Sequence, residues 1–256
     1  MRSQTPKPRN GANGPNVPPA SAPSTVFATR VDDRLPDVLG QELTNIIEKR
    51  IIFLDFMPGV RVTEQEISKE FGISRSPVRE AFRQLESSGL VVRLARRGIR
   101  VNEMTQKNLN EIYSCRAPLE GLAAAAAAKH ATEDDLHRMK ASLEGMAAAL
   151  DQSGINRFFD NNILFQQYMH DACGNSVLKR ILADLHKHAL RYRYFGHKKA
   201  AEMPKFSYER QKDLFEAIEA RDAQKAKRLA TNMMRDAQRL IGEVLKEHGH
   251  ELTGEG

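Results

Sequence analysis

Apolar residues first recur at helical spacing from Leu35, where Val38, Leu39, Leu43, Ile46, Ile47 and Ile51 share one stripe that Pro58-Gly59 interrupts. The pattern predicts a first helix of roughly five turns. Thr63-Glu64-Gln65-Glu66 has the form of a capping box, so a second, shorter helix starts there, turns Ile67 and Phe71 inward and stops at Gly72. After Ile73-Ser74, a third helix is expected with Ser76 as its cap and Pro77 at its first helical position, burying Val78, Ala81, Phe82 and Leu85 and ending at Gly89. Leu90 to Val92 and Ile99 to Val101 then read as two short strands around a polar, arginine-rich turn in which Gly98 is free to take a positive φ.

Three helices followed by a hairpin describe a winged helix-turn-helix over residues 35–102. From 105 to 245 the chain reads as helix after helix, with caps at Thr132, Asn156 and Asp222 and breaks around Gly154, Gly174, Pro204 and Arg221. Short connections predict an antiparallel bundle of six or seven helices, and the fold class is mainly α. The small side chains of 123–128 suit close contact with a neighbouring helix. Residues 1–34, rich in Pro, Gly, Asn, Ser and Ala, read as a disordered tail, and 246–256 as a flexible one.

Composition narrows the function classes. With 39 Lys and Arg against 33 Asp and Glu, the formal charge is +6, which suits a polyanionic partner but does not require one. The arrangement says more: Arg75, Arg79 and Arg83 follow at four-residue spacing, and Arg93, Arg96, Arg97 and Arg100 crowd one short stretch. No apolar run is long enough for a membrane helix, and no signal peptide is evident, so a cytoplasmic address is expected. Cys115 and Cys173 lie far apart with no ligand-spaced Cys or His beside them; two buried small hydrophobes are expected. No glycine-rich phosphate loop, nucleophile–base arrangement or paired carboxylates stand at catalytic spacing, which argues against an enzyme.

In a helix-turn-helix the third helix enters the major groove of double-stranded DNA, and its first turns reach the base edges. Ser74, Arg75, Ser76 and Arg79 occupy that place, the two arginines on the face opposite Val78, Phe82 and Leu85. Arg97 and Gly98 form the expected wing tip, and Gln65 is a candidate phosphate contact or a plain surface glutamine.

The run Phe71-Gly72-Ile73-Ser74-Arg75-Ser76-Pro77-Val78-Arg79-Glu80-Ala81, with Pro58-Gly59, Glu66-Ile67, Leu85, Gly89-Leu90 and Gly98, resembles the GntR-family DNA-binding domain. Downstream, Arg116, Leu119-Glu120, Phe165, Gly174-Asn175, Ala217-Ile218, Asp222 and Ala226 resemble the FCD effector domain. The resemblance implies a homodimeric regulator, a repressor by expectation, on a near-palindromic operator, with a small acidic metabolite bound inside the bundle as effector. It also implies a divalent metal held by one Asp and three His, and here those four positions fall on Asn162, Gln166, Gln211 and Met233. None is a carboxylate or an imidazole, so no metal or other cofactor is expected. A one-turn slip would instead bring His170 to the site.

The three amides either bind an effector or satisfy one another, and Arg116 either grips a ligand carboxylate or pairs with Glu120. Of Arg191, Tyr192 and Arg193, only alternate members can face inward, while His186 and His188 are expected at the surface. A DNA-binding architectural protein whose body only dimerises is the competing reading.

Overall fold

The computed structural model describes residues 40–94, 98–151 and 154–252. The tail expected at 1–34 and the wing-tip residue Arg97 lie outside them. The head comprises α1 (Gly40–Ile52), β1 (Arg61–Val62), α2 (Glu64–Phe71), α3 (Arg75–Ser87), β2 (Val91–Leu94) and β3 (Gly98–Val101). Its core takes in Leu43, Ile47 and Ile51 of α1, Ile67, Phe71, Val78, Ala81, Phe82 and Leu85 as predicted; the strands close it with Val91, Ile99 and Val101, and with Val62, which was not predicted.

Local chemistry sets the boundaries. Thr63 accepts a hydrogen bond from the Glu66 amide while the Glu66 carboxylate accepts one from the Thr63 amide, completing the capping box, and Gly72 ends α2 in the left-handed region at φ 63°. The third helix begins two residues earlier than expected: Ser74, not Ser76, is the N-cap, and Pro77 sits at the third helical position. The first-turn amides have no intrahelical partner, so a proline anywhere in that turn forfeits no bond. The strand β1 was not expected; it pairs antiparallel with β3, Arg61 opposite Arg100 and Val62 opposite Ile99, giving a three-stranded sheet in the order β1-β3-β2.

Six helices form the body among the described residues: α4 (Gln106–His130), α5 (Glu133–Asp151), α6 (Ile155–Ala172), α7 (Ser176–Lys199), α8 (Glu202–Glu219) and α9 (Ala223–His248). Thr105, Asn175 and Asp222 cap α4, α7 and α9 with their side chains, and Thr132 accepts from the Asp135 amide at the start of α5. Asn156 is not a cap. Gly154 precedes α6, and the Asn156 amide oxygen instead accepts the Tyr194 hydroxyl. Residues 246–252, expected in a flexible tail, are structured: α9 continues to His248, and a 3-10 turn over Gly249–Leu252 buries Leu252 and pairs Glu251 with Lys199.

Close packing centres on α4 and α9. Ala123, Ala124, Ala127 and Ala128 are buried, and a Cβ on Gly121 would fall 2.3 Å from Thr231 Oγ1 and 3.1 Å from the Lys227 carbonyl oxygen. Cys173 is buried, but Cys115 is exposed, because its position on α4 faces away from the bundle.

Head and body are joined by more than the linker. Ile52 packs with Phe159, Ile163, Leu190 and Tyr194, and the partly buried Phe53 stacks edge-on against Tyr194 at 4.9 Å. The linker itself is held by α7: Arg191 donates to the carbonyls of Asn102 and Glu103, and the Tyr192 hydroxyl accepts the Thr105 amide at 3.0 Å.

Candidate functional site

Two sets of residues carry chemistry, one on the head and one in the body. On the head, the apolar stripe of α3 is buried, and its opposite face is therefore turned out with Ser74, Arg75, Ser76 and Arg79 all exposed. Gln65 is exposed on α2. Gly98 opens β3 at φ 80°, a conformation that favours glycine. Glu64 sits between recognition helix and wing strand: it accepts from Arg79 Nε at 3.4 Å and from Arg93 Nη1 at 3.0 Å. Arg93 also reaches Glu86, at 3.6 Å. These exposed contacts are weak and screened, so phosphates can compete for both guanidiniums.

In the body, Asn162 and Gln166 of α6, Gln211 of α8 and Met233 of α9 line one cavity of about 20 Å³, room for about one water. The cation among them is Arg193 of α7. Its guanidinium donates to the Asn162 and Gln166 amide oxygens, the latter at 2.8 Å, and lies 3.5 Å from His186 Nδ1. Arg116 lies next to this group with its side chain fully buried, donating to Glu120 at 2.7 Å and more distantly to Gln166 at 3.4 Å. Its Nε and Nη1 find no acceptor among the described residues. His170, one turn beyond Gln166, is buried and spends its Nε2 on Glu120 at 2.8 Å.

The electrostatics follow from burial. It pushes the Arg193 guanidinium down to about 10, with Arg116 adding repulsion, yet the group stays charged at neutral pH. Burial opposes ionisation of Glu120 as well, but His170 and Arg116 together hold it well below the ordinary carboxylate range. His186 is pushed well below the usual imidazole value by burial and by the two guanidiniums, and His197, which bonds the Arg193 carbonyl, is pushed down to about 4 by its burial. Two guanidiniums thus face one carboxylate, and the cluster carries an excess of buried positive charge.

A divalent metal does not fit this donor set. The amide oxygens of Asn162 and Gln166 already accept hydrogen bonds from Arg193, whose charge would repel a cation, and Met233 and Gln211 add neither carboxylate nor imidazole. Among the described residues no three His, Cys, Asp or Glu side chains gather as a metal-binding group.

The three-residue stretch at 191–193 divides its labour. Arg193 enters the cavity, whereas Arg191 and Tyr192 turn to the linker. Sequence spacing carried a signal for this, since His186, Arg193 and His197 stand at i, i+7 and i+11 and share a face. The histidines expected at the surface are not there: His186 is buried, and His188 is half-buried against Gly89 of the head. Tyr113, whose buried hydroxyl makes no well-formed hydrogen bond among the described residues, also lines the cavity and was not singled out by the sequence.

Residues 39–101 match the bacterial regulatory proteins, gntR family, and residues 111–236 match the FCD domain. An uncharacterized HTH-type transcriptional regulator of Bacillus subtilis, YdhC, is 36% identical over 143 residues, 54% of this chain and 62% of that protein. The HTH-type transcriptional repressor RspR of Escherichia coli is 24% identical over 85% of this chain and 95% of its own. Among solved structures, E. coli McbR/YncC superposes with a TM-score of 0.72 over 80% of this chain and 98% of that one at 21% identity, a likeness of fold. With its recognition helix turned outward on a winged head and a six-helix body behind it, the chain belongs to the GntR family of DNA-binding transcriptional regulators, in the FCD subfamily, and is not an enzyme.

Proposed function

We propose that the protein is a cytoplasmic homodimeric repressor that places α3 of each head in the major groove of a palindromic operator. The outward face of α3 carries this reading: Val78, Ala81, Phe82 and Leu85 are buried, so Arg75 and Arg79 project together, where each can meet two guanine acceptors. Ser74, Ser76 and Gln65 supply hydroxyl and amide donors beside them, and the wing carrying Arg97 and Gly98 follows the adjoining backbone. The name of RspR as a repressor supports repression over activation. Among the described residues no helix is long and apolar enough to cross a membrane. Selection of random duplexes on the purified protein tests the proposal; an inverted repeat with half-sites about one helical turn apart is expected, and enrichment without any repeat contradicts it.

The body pocket favours a small organic acid as effector, bound without a metal. Excess positive charge at Arg116 and Arg193, with two Arg116 nitrogens unmatched, calls for an anionic acceptor. Asn162, Gln166 and Gln211 would orient it, and Met233 with Met203 and Met234 would yield to admit it, because unbranched thioethers repack readily. This favours a sensing body over one that only dimerises. Isothermal titration with small mono- and dicarboxylates, with and without EDTA, checks the chemistry.

A further inference from the structure

A cleft of about 540 Å³ lies where the head meets the body, a size that suits a small-molecule ligand. One wall is α1, through Asn45, Glu48, Lys49 and Ile52; the others are stripes of α6 and α7. Its floor is apolar, with Ile52, Ile163 and Leu190 buried, and its rim carries Lys49, Lys179 and Lys187 against Glu48 and Asp171. Two of the lysines bind acids across the rim, Lys179 to Asp171 at 2.6 Å and Lys187 to Glu48 at 3.6 Å, while Lys49 offsets part of the burial-driven rise in the pKa of Asp160.

His186 gives the cleft a defined polar point. Its ring is 6% exposed and lines the cleft. On the inner side, Nδ1 faces Arg193 Nη1 at 3.5 Å, and a guanidinium can only donate, so Nδ1 is the acceptor. The neutral ring then carries its proton on Nε2, and that N–H finds no acceptor among the described residues. A buried donor left without a partner is unfavourable, so an acceptor brought to it from the cleft side is favoured.

We propose that this cleft binds a small carboxylate with an apolar body, its oxygen taking the His186 Nε2 proton between the lysines and its body resting on Ile52, Ile163 and Leu190. The ligand touches α1 of the head and α6 and α7 of the body at once, so it fixes the orientation of the DNA-reading unit. The site is separate from the cavity around Gln166 and Gln211; the two are linked by the His186–Arg193 contact and by His170, which binds Glu120 beside Arg116.

The test is titration of the full chain, with ¹⁵N-labelled histidine and arginine side chains, with 1-naphthoate and its neutral analogue 1-naphthamide. Saturable shifts of the His186 Nε2 signal are expected, with 1-naphthamide binding at least about tenfold more weakly. His186→Phe removes the donor but also an Arg193 partner, so Ala183→Trp, at an exposed position on the cleft wall, serves as the second variant: it should abolish the shifts while thermal stability is unchanged. Shifts confined to Arg116 and Arg193, binding unaffected by Ala183→Trp, or no saturation by about 10 mM naphthoate would each overturn the proposal. The first of these leaves the inner pocket proposal standing, so the two readings fail separately.

Discussion

The Arg193 guanidinium donates to the Gln166 amide oxygen at 2.8 Å, joining α7 to α6 by a charge held in the core of the body. The same arginine reaches Asn162, and its neighbours Arg191 and Tyr192 hold the linker that leads to the head. One helix therefore carries both the polar centre of the cavity and the grip on the head. A cation built into the protein also stands among the amides where a metal would otherwise bind. Purified protein is expected to carry no stoichiometric zinc, manganese or nickel, and Arg193→Met to destabilise the chain by about 1–3 kcal/mol through the orphaned amide oxygens. Elemental analysis and urea denaturation read the two effects; near one metal per chain after dialysis against chelator contradicts the donor argument.

Asp160 provides the pH prediction. Burial raises its pKa to about 6, with Lys49 offsetting part of the shift, against 3.8 for the free side chain. An acid with a raised folded pKa keeps its proton longer in the folded state, so its contribution to stability falls as pH rises from about 4 to about 6 and stays lower above that. Asp160→Asn is expected to raise stability at pH 7.5 by about 1–3 kcal/mol and to flatten the pH dependence in that window. Thermal melts from pH 4 to pH 8 decide it, and equal slopes for variant and parent refute the assignment.

Gly121→Ala tests the contact between α4 and α9. A Cβ there would lie 2.3 Å from Thr231 Oγ1, well inside contact distance, and 3.1 Å from a backbone oxygen that cannot swing away. A loss of about 1–3 kcal/mol is expected, the usual cost of overpacking. Thr231→Ala in the same chain should recover part of it, since it removes the nearer clash. Chemical denaturation of the four members of the cycle measures the coupling, and a neutral Gly121→Ala would mean the helices separate freely.

Much of the head was legible because its signals are local. Thr63 with Glu66, Gly72 and the stripe Val78, Ala81, Phe82, Leu85 each specify structure within a few residues. The two-residue strand β1 escaped because Arg61 and Val62 owe their conformation to Arg100 and Ile99, nearly forty residues away. In the body, the convergence of Asn162, Gln166, Gln211 and Met233 was expected from the family resemblance, not from periodicity. Arg193 and His186 were harder to place, because surface exposure is the ordinary expectation for charged and imidazole side chains. Their burial depends on a network of partners from α4, α6 and α7, which no single stretch of sequence contains.

A palindromic operator requires paired heads. The full chain is expected to sediment as a dimer of about twice 28.8 kDa. Exposed Leu122 on α4 with Val177 and Ile181 on α7 offers apolar surface on the body for such pairing. Sedimentation velocity at micromolar concentration tests this, and a strictly monomeric species there argues against a twofold site.

Reading of DNA by α3 is tested most directly by fluorescence anisotropy on the selected operator at fixed salt, comparing the parent chain with Arg75→Ala, Arg79→Ala and the double variant. Both side chains are exposed, so dimer and fold should be unchanged by either substitution. Each single variant is expected to weaken specific binding by about 1–3 kcal/mol and the double variant to approach the affinity for unrelated DNA. Equal operator affinity for the parent and the double variant would contradict the assignment of α3 as the reading helix.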